Sequence, residues 1–224
     1  MSLFDQSMEM VEELYLELNK SSFLDGGIRL DLVYQFCDLA IEHGVAVKIL
    51  LENNLVTSAL ALFRVQFESV VRAYWLLMVA SNNDVLKLQI SSIENLFKNY
   101  KIPMVSVMID QLKDVRETFH IVEQFRQFKF YSMSHLNNIV HSSGHSIIRR
   151  QAGLDKKQIL IIMRQTNNFT TMAAQILLRH ASKEKYIHHL HQKYRVCFHM
   201  EDDVSVEEKS RIDSMYKIKT RHEV

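Results

Sequence analysis

Arg64, Glu68 and Arg72 recur every four residues within Leu60-Ala-Leu-Phe-Arg-Val-Gln-Phe-Glu-Ser-Val-Val-Arg-Ala-Tyr-Trp-Leu-Leu-Met-Val79. On a helix turning about 100° per residue they form a single charged stripe with Trp75 beside it. Phe63, Phe67, Val70 and Tyr74 form an apolar stripe on one edge, and Val65, Leu76 and Val79 lie on the other. A helix that is apolar nearly all round belongs in the centre of a fold, so the charges are expected to be at least partly buried. Glu68 can neutralise one arginine through i, i+4 pairing. The second positive charge then needs carbonyls, solvent, another carboxylate or an anionic ligand, because an unpaired buried charge is costly. Two chemistries fit. One is an internal polar network that sets helix register. The other is an anion-binding or catalytic site in which Arg64 and Arg72 stabilise phosphate charge and Glu68 orients them.

The acid–base group for the second chemistry comes from Ser132-Met-Ser-His-Leu-Asn-Asn-Ile-Val-His-Ser-Ser-Gly-His-Ser-Ile-Ile-Arg-Arg150. His141 has the near-neutral ionisation that proton transfer requires. Asn137 and Asn138, one turn earlier, are placed to orient its imidazole or to meet a ligand. His145 shares its face if one helix runs through both, which is half of a helical metal site. No Glu follows His141 as in H-E-x-x-H, and no metal or other cofactor is expected. Small residues Ser142, Ser143 and Gly144 suit close approach by another helix or by an anion. Arg149 and Arg150 read as charges at a helix end. His188, His189 and His191 point to different faces and read as an exposed surface. Phe128, Phe130 and Tyr131 read as a helix-junction core rather than a base-stacking platform. No Gly-rich phosphate loop, nucleophile elbow or Cys–His pattern occurs.

Those residues need long helices to hold them, and the composition supplies them. The 224-residue chain has only five Gly and one Pro, too little turn chemistry for a many-stranded fold. A net charge of +1 argues against a general electrostatic nucleic-acid binder, so no DNA partner is expected. Cys37 and Cys197 are far apart and form no CxxC pair, which reads as a reduced, cytoplasmic protein. The start of the chain lacks a basic, apolar signal pattern, and no apolar run approaches the roughly 20 residues of a membrane span.

Along the chain, helices are expected over 5–20, 29–53 and 57–80. Met8, Val11, Leu14 and Leu18 are the inward candidates of the first, and Leu32, Phe36, Leu39 and Val45 those of the second. A fourth helix carries Leu86, Ile90, Ile93 and Phe97. After Pro103 a single helix is expected from 104 to 128, with Met108, Leu112, Val115, Phe119 and Val122 facing inward. Asp155 and Gln158 form a capping box for the next helix, which runs to about His180. Another follows over 183–198, and Ser205 and Glu208 cap a short final one. Residues 1–198 are read as one bundle domain and 199–224 as a tail.

The pattern Arg64-x3-Glu68-x3-Arg72-x2-Trp75-Leu76, followed by Asn137-x3-His141-x2-Gly144, resembles a family of uncharacterised bacterial helical proteins without an established activity. The resemblance spans roughly residues 30–190. More distantly the arrangement is similar to the HEPN group of helical bundles, many of which are ribonucleases or nucleotide-handling components of toxin–antitoxin and phage-defence systems. That group places an Arg ahead of its His with four to six residues between them. Here those positions hold Leu136, His135 and Ser134, so Arg64 or Arg72 would have to supply the charge.

The expectation is therefore an all-α bundle of six to eight helices with the 57–80 helix central and the 132–150 segment packed across it. Its favoured role is that of an interaction or structural component, forming a homodimer. The alternative is a HEPN-like enzyme or toxin acting on RNA or a nucleotide through Arg64, Arg72, Glu68 and His141, with Asn137, Asn138, His145 and Trp75 contacting ligand.

Overall fold

The computed structural model describes residues 1–89, 102–141 and 144–198, without the side chain of His145. The order of helices is α1 (Leu3–Asn19), α2 (Gly27–Glu52), α3 (Val56–Met78), α4 (Asn82–Leu88), α5 (Val105–Leu112), α6 (Phe119–Phe128), α7 (Ser134–Val140), α8 (Gly144–Ala152), α9 (Lys156–His180) and α10 (Lys185–Lys193). A 3₁₀ turn, Arg116–Thr118, precedes α6, a π turn, Lys129–Met133, joins α6 to α7, and a second 3₁₀ turn, Arg195–Cys197, follows α10. Among the described residues there is no strand, and the expected all-α bundle is observed. The expected helix at Ile90, Ile93 and Phe97 and the final helix at Ser205 lie outside the described residues.

Capping boxes start three of these helices. Ser2 and Asp5 cap α1, Ser81 and Asp84 cap α4, and Asp155 and Gln158 cap α9 as expected. Each pairs two otherwise orphaned backbone amides with side-chain oxygens. The carboxyl end of α3 is closed by Arg29, whose Nη1 donates to the Leu76 carbonyl at 2.6 Å while Nη2 donates to Asn82 Oδ1 at 2.9 Å. A cation there also complements the helix dipole.

Helix α3 is the centre of the bundle, in contact with α2, α5, α7, α8 and α9. Phe63, Phe67, Phe125, Phe128 and Phe169 join α3, α6 and α9 in one aromatic cluster, with ring centroids from 4.4 to 5.8 Å apart. Edge-to-face and tilted pairs of this kind suit the ring quadrupoles. Helix α2 approaches α3 and α9 closely at Gly44. A Cβ there would sit 2.5 Å from both Gln66 Nε2 of α3 and Thr170 Oγ1 of α9, so only glycine fits. Three helices meet at this residue.

Several inward faces differ from expectation. In α2 the buried set is Val33, Cys37, Ala40, Ile41, Gly44, Val47, Lys48 and Leu51, and Leu39 is exposed. In α4, Val85 is buried and Leu86 is exposed. The single helix expected from 104 to 128 is divided, because the chain turns at Lys113 and Asp114 and Thr118 Oγ1 donates to the carbonyls of Leu112 and Val115 at 2.7 and 2.8 Å. Phe119, expected inside, is 66% exposed as a result.

Candidate functional site

The ladder on α3 forms as its spacing requires. Arg64 Nε donates to Glu68 Oε1 at 2.9 Å, and Arg72 Nη2 donates to Glu68 Oε2 at 3.1 Å. The three side chains retain 15–21% exposure. Each carboxylate oxygen thus serves one arginine, and the ladder keeps one net positive charge. Trp75, 1% exposed, continues the line and donates from Nε1 to Gln111 Oε1 of α5 at 2.7 Å.

The His-bearing segment packs on α3 through α7 and α8, but its local geometry departs from the expected single helix. Helix α7 stops at Val140, and His141 is its C-cap, with φ −84° and ψ 16°. Its backbone N–H donates to the Asn137 carbonyl at 3.1 Å, and its side chain is exposed. His145 belongs to α8, so the two histidines are not successive turns of one helix and the half-metal-site geometry does not arise. Among the described residues no hydrogen bond or ion pair joins His141 to Arg64, Glu68 or Arg72. Asn137 and Asn138 are half-buried, and Asn137 Oδ1 is a buried acceptor without a partner. Ser142 and Ser143 lie outside the described residues.

The π turn creates a feature the sequence reading missed. Its wider winding adds a residue to one turn, so Phe128 enters the aromatic core while Phe130 swings out to 77% exposure beside Tyr131 at 37%. The expected junction core therefore holds only for Phe128. The two exposed rings pack edge to face at 5.0 Å. They border a surface groove of about 520 Å³ lined by Asp110 of α5, Glu123 and Arg126 of α6, and Lys129. Two acids and two bases thus face one open concavity next to two aromatic rings.

A second missed feature is the cluster around Lys48, which is fully buried in α2. Lys48 Nζ donates to Asn167 Oδ1 of α9 at 3.0 Å. Asn167 Nδ2 in turn donates to Ser7 Oγ of α1 at 2.8 Å and to the Cys197 carbonyl at 3.1 Å. Ser7 Oγ donates to Cys197 Sγ at 3.7 Å. Among the described residues Lys48 makes no ion pair. Burial pushes its amine down to about 7, opposed in part by Cys197. The signal in the sequence was its place four residues after Gly44 and three before Leu51, on the buried stripe of α2.

The histidines of α10 remain separate from one another. His188 bonds Gln192 at 2.8 Å, His189 Nε2 lies 3.8 Å from Glu13, and His191 stacks near Phe198. Among the described residues no group of three or more His, Cys, Asp or Glu is placed to hold a metal ion. No described helix is long and apolar enough to cross a membrane.

Residues 37–200 match the family of unknown function DUF6988, and the match takes in α3, the His-bearing segment, the groove and Lys48. The chain belongs to this family. DUF6988 has a described domain and no described activity. No curated protein and no solved structure matches the chain.

Proposed function

We propose that this DUF6988 chain is a non-catalytic interaction module that pairs with a second copy of itself through the groove beside the π turn. The groove supports this reading because it carries both signs of charge, Asp110 and Glu123 against Arg126 and Lys129. A twofold axis brings a patch onto its own copy, so a patch holding both signs is self-complementary. Exposed aromatic side chains such as Phe130 and Tyr131 are the anchors that such interfaces favour. The ladder on α3 serves as the internal framework, its charges largely answered by one another. The test is solution mass by light scattering on three proteins. The wild type is expected as a dimer. Arg126→Glu/Lys129→Glu and Asp110→Lys/Glu123→Lys are each expected as monomers, and their mixture as a heterodimer. A monomeric wild type, or charge variants that still self-associate, would sink the reading.

A second reading, an RNA- or nucleotide-acting toxin of HEPN-like character, draws support from the net positive ladder and the unpartnered Asn137 Oδ1. In it Arg64 and Arg72 hold phosphate and His141 moves the proton. It predicts that inducing the protein in bacteria stalls growth and degrades total RNA, and that an equally soluble His141→Ala variant does neither. Intact RNA with the wild type rules it out.

A further inference from the structure

We propose that the segment Lys183–Cys197 is a latch closed over the buried amine of Lys48, and that protonation of Lys48 opens it. The segment comprises the start of α10, α10 itself and the 3₁₀ turn that ends at Cys197.

Its outer fastening is Glu13 of α1. That one carboxylate accepts from Tyr186 Oη at 3.2 Å, from Tyr194 Oη at 2.8 Å and from Lys193 Nζ, while Lys183 pairs with Glu17 at 2.7 Å. Ile187, Leu190 and Tyr194 supply the buried apolar contacts. Its inner fastening is the Lys48 cluster. Asn167 links the amine to the latch, receiving from Lys48 Nζ on its oxygen and donating from its nitrogen to the Cys197 carbonyl. Arg164 Nε also donates to the Val196 carbonyl, at 3.1 Å.

This inner seal fits a neutral amine and not an ammonium. An ammonium has three donors and no acceptor capacity, yet among the described residues Nζ has a single hydrogen-bond acceptor, Asn167 Oδ1. The groups facing Lys48 are Asn167 from α9, Ser7 from α1 and Cys197 from the turn. Arg164 and Glu9 act with opposite sign on the Cys197 thiol. None of these is a carboxylate in contact with the amine. Opening the latch admits water, which solvates the ammonium, so protonation favours the open form.

The groups of the Glu13 fastening keep their charge between pH 7.5 and 9.5 while it is closed. Burial raises Glu13 but the hydrogen bonds from Lys193, Tyr194 and Tyr186 outweigh it, and the carboxyl ends below its ordinary value. Burial, followed by the effect of Glu13, pushes Tyr186 up to about 12; burial and the Glu13 hydrogen bond do the same for Tyr194. Lys193 is held above its ordinary value by its bond to Glu13, and burial raises the Cys197 thiol. The window also lies above the ordinary range of histidine. Lys48 is the group among the described residues of the seal that takes up a proton on opening there, between about 7 closed and its ordinary 10.5 open. The Cys197 thiol, raised from 9.0 when closed, acts in the opposite sense near the top of the window. Linkage then raises the open fraction by at most about tenfold for each unit that pH falls across this window.

The experiment is limited trypsin cleavage of the whole chain at Lys185, Lys193 and Arg195, followed by mass spectrometry. Rates are divided by those of a free peptide of residues 183–198 at the same pH. For the wild type the normalised rate is expected to rise more than about tenfold from pH 9.5 to 7.5. Lys48→Met is expected to lose this rise. Glu13→Gln, which loosens only the outer fastening, is expected to be cleaved faster at every pH with the wild-type slope. A flat wild-type profile or an undiminished slope in Lys48→Met overturns the proposal. Cleavage at Arg64 and Arg72 in step with the latch would mean global unfolding and overturns it too. Should Lys48→Met fail to fold, Glu13→Gln decides: a slope unlike that of the wild type, or no gain in latch cleavage, overturns the proposal.

Discussion

Glu68 holds two guanidinium groups with its two oxygens, at 2.9 and 3.1 Å. Removing its charge leaves two partly buried arginines, two turns apart, with no carboxylate between them, and the lost bonds are of the charged type. Glu68→Gln is therefore expected to cost about 1.5–3 kcal/mol per the range for charged hydrogen bonds, measured by urea denaturation. A loss below about 0.5 kcal/mol, typical of exposed pairs, would show that solvent already screens the ladder. This ladder was legible from sequence because period-four spacing of opposite charges on an apolar helix has few other meanings. Lys48 was not, although the same kind of helix carries it. The apolar positions of α2 admit two stripes one residue apart, and the stripe through Leu32, Phe36 and Leu39 places Lys48 outside. Only the crossing at Gly44 decides between them. The shared face of His141 and His145 failed for a different reason: it assumed one helix through residues where α7 has already ended.

At the scale of elements, the meeting of α2, α3 and α9 is set by the missing side chain of Gly44. Gln66 Nε2 donates to the Thr166 carbonyl at 3.0 Å and to Thr170 Oγ1 at 3.2 Å just above it. A methyl group there displaces the amide or spreads the helices. Gly44→Ala is expected to destabilise by about 1–3 kcal/mol, the cost of overfilling a packed core, despite the better helix propensity of alanine. Thermal unfolding checks it, and an unchanged or raised midpoint would contradict the close approach. The helices themselves were readable from periodicity and from one of the capping boxes. The break between α5 and α6 was not, since no Gly or Pro marks it and the turn depends on the hydroxyl of Thr118. The π turn was equally hidden, because its residues have ordinary helical character and only the packing of Phe128 against Phe67 shows where the register slips.

For the whole molecule, the scarcity of Gly and Pro in the sequence already pointed to an all-α bundle. The pH response was not visible in the composition. Lys48 binds its proton less tightly when folded, with about 7 against 10.5. Between these values the unfolded chain carries a proton that the folded one lacks, so stability rises as pH rises from 7 to 10.5. The limit is roughly 5 kcal/mol at about 1.4 kcal/mol per pKa unit. Lys48→Met is expected to be more stable than the wild type at pH 7 and to lose most of the rise by pH 9.5, as read from urea midpoints. A variant that keeps the full slope would move its origin to another group.

The chain has a single tryptophan, Trp75. It is sealed in the bundle at the end of the charged ladder and tied to Gln111. Its emission is therefore a built-in optical gauge of α3 and α5, blue when the core is dry and red-shifted when water reaches the indole. Tyr186 and Tyr194, not the indole, are the chromophores at Glu13, so an absorbance change there with steady tryptophan emission would mark motion at the rim of a core that has stayed shut.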